Sequence, residues 1–234
     1  YGINITMGII RAILIFLLLS IIAFNSELMA EQKPSIVKND STSNSLDTKD
    51  KKRSRLQSNQ KNIRSWRSSA QKRGMSPNGY IALIITSMQK MIILPPSGKP
   101  PIEYVISTSK FGKGSTENSN KTPLGWHRVN ERIGHGMPAG AVFSSRIFTG
   151  KVIPQSELNN PNSEDMVLTR IMWLEGLEPG KNSGNGIDSH SRCIYIHGTN
   201  QEQLLGQPAS HGCIRMSNED VIELFEMTMN TDFY

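Results

Sequence analysis

A formal net charge of +6 over 234 residues would suit a polyanion-binding protein, but the cations are unevenly placed. Residues 49–73 hold ten Lys and Arg against the single acid Asp50, whereas from Gly74 onward 13 basic side chains face 15 acidic ones, a net of −2. The basicity therefore belongs to one segment, read as a solvated linker or as one drawn to an anionic envelope surface, and nucleic acid is excluded as the main partner.

The chain opens on Tyr1, and Met7 is the first plausible start. Arg11, an apolar run from Ala12 to Phe24, and then Met29-Ala30 have the order of a secretory leader. The run is shorter than the roughly 20 residues a spanning helix needs. Residues 1–30 are therefore expected to be a signal peptide, or an uncleaved N-terminal anchor tethering the chain to the inner membrane. Both place the remainder outside the cytoplasm, in the periplasm or cell envelope. Residues 31–78 are rich in Ser, Asn, Gln, Lys and Asp and are expected to form a low-order tether. Near its end, Leu56, Ile63 and Trp66 could line one side of a short helix.

From Tyr80 the pattern becomes that of short strands separated by turn residues. The runs are Ile81 to Thr86, Lys90 to Leu94, Ile102 to Ser107, Gly125 to Ile133, Met166 to Leu174 and Cys193 to His197. Gly112 to Asn120 and Gly176 to Gly186 read as loops. One helix is expected at the end: Ser217 is an N-cap, and Val221, Leu224 and Phe225 recur at helical spacing. The domain is thus mostly β, with one helix after the second of its two cysteines.

That cysteine, Cys213, lies in Ser210-His211-Gly212-Cys213-Ile214-Arg215-Met216, shortly after Ile196-His197-Gly198-Thr199-Asn200. A cysteine nucleophile needs a base and amide groups aimed at a developing oxyanion. Strand alternation puts Cys193, Tyr195 and His197 on one face, so His197 is the expected base and the Gly198 carbonyl the acceptor that orients it. His211, adjacent to Cys213, points away and ranks second. The amides of Gly212 and Cys213 are the expected oxyanion donors, with Ser210, His211 and Gly198 in support. Arg215 is read either as a bidentate ligand for a substrate carboxylate or as a surface ion pair. His127, His135 and His190 read as ordinary polar residues, although His190 is near enough in sequence to line the cleft. Two quiet histidines with a buried cysteine are the bland alternative. A zinc site is the sharper one, although the spacing does not match common ligand pairs. A Cys193–Cys213 disulfide is a third arrangement.

The same residues carry a resemblance. His197-Gly198-Thr199-Asn200 followed by Ser210-His211-Gly212-Cys213-Ile214-Arg215-Met216 resembles the signature of bacterial L,D-transpeptidases with the YkuD-type catalytic domain, and Thr122-Pro123-Leu124-Gly125 resembles that family's TPxG segment. The resemblance spans about residues 80–230. It implies a β-sandwich or barrel-like catalytic domain over 79–234 and needs no cofactor and no metal. Cys213 would be the nucleophile and His197 the general base. It further implies that peptidoglycan stem tetrapeptides are acyl donors, that D-alanine is released, and that a thioester passes to an amine, often making a 3→3 cross-link. Carbapenem-type inhibitors are implied ligands. A lipoprotein lysine, a D-amino acid or water are other acceptors, the last making an L,D-carboxypeptidase. The rival on the same scaffold is a non-catalytic wall-binding module. The family's domain usually closes with a strand after the helix, and here the sequence given ends at Tyr234, so that strand is expected to be missing.

Overall fold

The structure is a computed structural model that describes residues 63–96, 99–160 and 163–234. The expected leader, and the tether up to residue 62 with Leu56, lie outside the described residues. Among the described residues no helix is long and apolar enough to cross a membrane.

The chain builds two sheets. In the smaller, β1 (Ile81–Ile85), β2 (Lys90–Leu94) and β3 (Ile102–Val105) form an antiparallel meander. The larger is built around β7 (Val167–Gly176), which pairs antiparallel with β4 (His127–Ile133), β5 (Ala141–Ser144) and β8 (Tyr195–Gly198) at successive registers. β6 (Ile147–Val152) extends the sheet beyond β5, and β9 (Ile214–Met216) lies parallel to β8 at the far side. The core lies between the sheets. Alternation on β2 buries Met91 and Ile93 against Met172 and Leu174 of β7 and Met216 of β9. Each such side chain contributes on the order of 1.5–3 kcal/mol.

The final helix covers this core. Over Asn218–Thr228 it buries Val221, Leu224, Phe225 and Thr228, one face at i, i+3, i+4 and i+7. It starts at Ser217, whose hydroxyl accepts the Asp220 amide at 3.0 Å, with Glu219 and Asp220 in the first turn favourable to the dipole. An earlier helix, over residues 63–71, falls in the segment expected to be a low-order tether. Ala70 and the following Met75 are buried with Ile81 and Leu94, Ile63 packs beside them, and Trp66 is 38 % exposed. We term the helices α1 (63–71) and α2 (Asn218–Thr228). After α2, Phe233 and Tyr234 link the two sheets. Tyr234 exchanges backbone hydrogen bonds with Tyr80 and Ala82 beside β1, and the Val129 amide of β4 donates to the Phe233 carbonyl at 2.8 Å.

Three strands were absent from the sequence reading. β5 and β6 are joined by a two-residue turn, Ser145-Arg146, with φ of 47° and 70°. Such primed turns match strand twist but are usually signalled by Asn or Gly. β9 is only three residues long and continues the nucleophile motif itself. The strand expected from Cys193 begins instead at Tyr195, because Cys193 takes a left-handed φ of 56° and closes the preceding turn.

Candidate active site

Parallel pairing of β8 with β9 puts the two motifs side by side. Ile196 registers with Ile214, His197 with Arg215 and Gly198 with Met216. Residues in register share a face, so Tyr195 and His197 project to the same side as Cys213 and Arg215. The motif residues separated by 16 positions are thus brought onto adjoining strands at one sheet surface.

The turn into β9 is held by its own side chains. Ser210 Oγ donates to the Cys213 carbonyl at 2.6 Å and accepts the Gly212 amide at 3.3 Å, and Thr122 Oγ1 donates to the Gly212 carbonyl at 3.0 Å. Gly212 has φ +127°, and a Cβ there would press on Ile194 Cδ1 at 3.3 Å. Only glycine takes this conformation without strain. Thr122 belongs to the Thr122-Pro123-Leu124-Gly125 segment, which therefore supports the turn before Cys213 directly.

The Cys213 thiol donates to the Cys193 carbonyl at 3.4 Å and accepts the Tyr195 amide at 3.3 Å. Burial pushes it up to about 12, the Tyr195 amide opposing. His197 is 2 % exposed, and its Nδ1 lies 2.7 Å from the Gly198 carbonyl oxygen. That acceptor requires a proton on Nδ1 and leaves Nε2 as the basic nitrogen. Burial lowers the His197 pKa, as does the Arg215 cation, while the Asp165 carboxylate and the Gly198 carbonyl oppose the fall. At neutral pH the pair therefore rests as a thiol and a neutral imidazole, which suits proton abstraction during attack better than a standing thiolate.

Gly198 must be glycine for a packing reason. A Cβ on it would lie 2.5 Å from Asn218 Oδ1 and 3.0 Å from the Leu168 carbonyl oxygen. Opposite it, β7 carries a bulge between Leu168 and Ile171, where Thr169 has φ 71° and donates to Asn218 Oδ1 at 2.5 Å. Gly198→Ala is expected to displace β8 from this bulge. Thermal unfolding should move down by several degrees, and the His197 pKa, followed by NMR of the ring protons, should change with it.

A family model described as the L,D-transpeptidase catalytic domain, YkuD, matches residues 79–232. The chain belongs to the YkuD L,D-transpeptidase family. Two Bacillus subtilis (strain 168) proteins bearing L,D-transpeptidase names are similar to it. YqjB is 34% identical over 89 residues, covering 34% of this chain and 51% of its own, and YkuD is 38% identical over 85 residues, covering 36% and 46%. The chain spans about half the length of these curated relatives. Among solved structures, an L,D-transpeptidase from Mycobacterium smegmatis is 14% identical with a TM-score of 0.39, covering 66% of this chain and 57% of that one. The L,D-transpeptidase LdtMt1, solved in complex with imipenem, is 18% identical with a TM-score of 0.38, covering 66% and 57%.

Within the YkuD domain Arg215 departs from both sequence readings. It is 1 % exposed, so it is no surface ion pair, and both of its Nη nitrogens are already engaged. Nη2 meets Asp165 Oδ2 at 2.5 Å and the Ala209 carbonyl at 3.1 Å, and Nη1 meets Gln201 Oε1 at 3.1 Å. A substrate carboxylate would have to displace Asp165, and the contacts that Arg215 does make tie the turn before Cys213 to Asp165 and Gln201. His211 sits outside this pair, 49 % exposed in its side chain, with Nδ1 3.8 Å from Asp165 Oδ2 and its ring tilted over Phe111. It does not contact the thiol.

Asp165 and the hairpin tip at Arg146 were missed, and no local signal marks either one. Both cysteines are free, and Cys193 Sγ lies 3.5 Å from Arg146 Nη1. His127 and His190 are engaged elsewhere, the former with Ser189 Oγ at 2.9 Å and the latter stacked on Trp173. His135 pairs with Glu226 at 3.4 Å. Among the described residues no group of three or more His, Cys, Asp or Glu could hold a metal ion.

Proposed function

We propose that this YkuD domain is an exported cysteine acyltransferase acting on peptidoglycan stem tetrapeptides. The reading is supported above all by the pairing of β8 with β9, which sets Cys213 and the buried, neutral His197 on the same side of adjoining strands. His197 Nε2 takes the thiol proton as sulfur attacks the carbonyl preceding the terminal D-alanine. The Cys213 amide, in the turn set by Ser210 and Gly212, stabilises the oxyanion, the Gly212 amide being engaged by Ser210 Oγ at 3.3 Å. The C–N bond then breaks, the imidazolium protonates the departing D-alanine amine, and a thioester to Cys213 remains. An acceptor amine gives a proton to His197 and attacks the thioester; the C–S bond breaks and the imidazolium returns the proton to the Cys213 sulfur. Where the amine is the side chain of another stem's diamino acid, a 3→3 cross-link forms; with water the same steps make a carboxypeptidase. The expected leader supports a site of action in the cell envelope, with the basic segment 49–73 drawn to its anionic surface.

The test is incubation of the protein with a defined tetrapeptide fragment and mass spectrometry of the products. Free D-alanine with a dimer, a tripeptide or an exchanged residue supports acyl transfer and names the acceptor. An unconsumed tetrapeptide would overturn the reading in favour of a wall-binding module.

A further inference from the structure

Arginines of the catalytic domain are, with one exception, matched to carboxylates or paired backbone carbonyls. Arg128 meets Glu175, Arg170 meets Glu226, Arg215 meets Asp165, and Arg132 and Arg192 each reach two carbonyls. Arg146, at the tip of the β5–β6 hairpin, has neither. Its Nη1 contacts the Tyr195 hydroxyl at 3.1 Å and Cys193 Sγ at 3.5 Å, neither of them a carboxylate. No hydrogen bond engages its Nε or Nη2 among the described residues.

The guanidinium is nevertheless fixed. It lies 4.2 Å from the centre of the Trp173 ring. Trp173 is itself held by stacking with His190 at 3.8 Å, by an edge contact from Tyr195, and by its Nε1 donating to the His190 carbonyl at 3.0 Å. The left-handed turn Ser145-Arg146 sets the direction from which the side chain arrives. A rigid, partly exposed cation with one free edge has the geometry to take a carboxylate side-on through Nε and Nη2.

Its location supplies the second observation. The two residues whose side chains receive Arg146, Cys193 and Tyr195, are the two whose backbone receives the Cys213 thiol. The free edge thus belongs to a side chain that shares both its partner residues with the Cys213 thiol. We propose that Arg146 binds a carboxylate of the acyl donor and so fixes which peptide carbonyl meets Cys213. This rests on the tetrapeptide reading above. It moves one of the roles read for Arg215 onto a residue whose Nε–Nη2 edge is unoccupied. Two donor carboxylates share the chemistry: the terminal D-alanine carboxylate, and the side-chain carboxylate of a diaminopimelate third residue.

The test uses peptide binding to the full chain carrying Cys213→Ala, with and without Arg146→Ala, so that turnover is not required. Four tetrapeptides separate the sources: diaminopimelate or lysine at position three, each with a free or amidated C-terminus. Arg146→Ala is expected to weaken binding by about 10- to 100-fold for peptides bearing the recognised carboxylate. The peptide lacking that carboxylate should bind both chains equally weakly. Arg146→Lys should recover part of the loss, since it keeps charge but not the fork. Equal losses for all four peptides would reduce Arg146 to a hairpin clasp, and unchanged binding of all four would remove it from recognition. Release of D-alanine by the wild-type chain alongside either result overturns this proposal alone. No release and no peptide binding overturns the reading on which it rests.

Discussion

His197→Ala is expected to slow acylation of Cys213 by about 10²- to 10⁴-fold, the usual contribution of a positioned general base. The size follows from the resting state. Burial raises the thiol to about 12, so at pH 7 almost no thiolate exists without proton transfer. Burial also lowers the His197 pKa, which keeps the imidazole neutral and able to accept that proton. The pH profile follows with its sign. Acylation should be flat near neutrality and fall only as pH drops through a value below the ordinary 6.5 of histidine, where the base becomes protonated. In His197→Ala that acid limb should vanish, and labelling by an uncharged alkylating reagent should climb steadily with pH past the range of a free thiol. Stopped assays of peptide or β-lactam acylation from acid to alkaline pH measure both. An acid limb that survives in His197→Ala would transfer the role of base to another group.

The second large effect concerns Asp165. Its carboxylate is the charged partner of Arg215, whose guanidinium is 1 % exposed. Removing one member of a buried pair costs about 3–5 kcal/mol, and the low end applies because the Asp165 side chain is 26 % exposed. Asp165→Ala should thus lower the melting temperature by roughly 6–12 °C in a domain of this size. Pairing it with Arg215→Met should restore much of the loss, since no uncompensated charge then remains inside. Asp165→Asn has a catalytic signature as well. The carboxylate opposes the fall in the His197 pKa, so its neutralisation should shift the acid limb of acylation to lower pH. Melting curves for the single and double variants, with the pH profile, separate the structural role from the electrostatic one. A change of under half a kcal/mol in Asp165→Ala would mean that the ion pair does not hold the turn.

What was legible in the sequence was whatever local patterning controls. The strands β1, β2 and β7 are runs of apolar residues between turns, and α2 announces itself by Ser217 and its 3.6-residue spacing. Cys213 and His197 could be read as partners from strand alternation and from the motif they share with the family. The Gly198 carbonyl could be chosen as the orienting acceptor because no carboxylate lies next to His197 in the chain. The rest depended on tertiary structure. Asp165 enters the site from the loop before β7, and nothing near it in sequence hints at Arg215. The hairpin that delivers Arg146 turns through Ser-Arg, two residues in left-handed conformation without the Asn or Gly that would mark it. A short helix through Ile63 and Trp66 could be read in the basic segment, but its docking could not, because Ala70 and Met75, which anchor it beside Ile81 and Leu94, stand among polar residues.

The central claim is that Cys213, rather than the neighbouring Cys193, carries the acyl group. A carbapenem such as imipenem serves as the probe because an acylated enzyme gains its mass. Intact-mass spectrometry after incubation should show one adduct on the wild-type chain, one on Cys193→Ser and none on Cys213→Ala, with peptide mapping placing the label on Cys213. An adduct that persists on Cys213→Ala and disappears from Cys193→Ser would contradict the account.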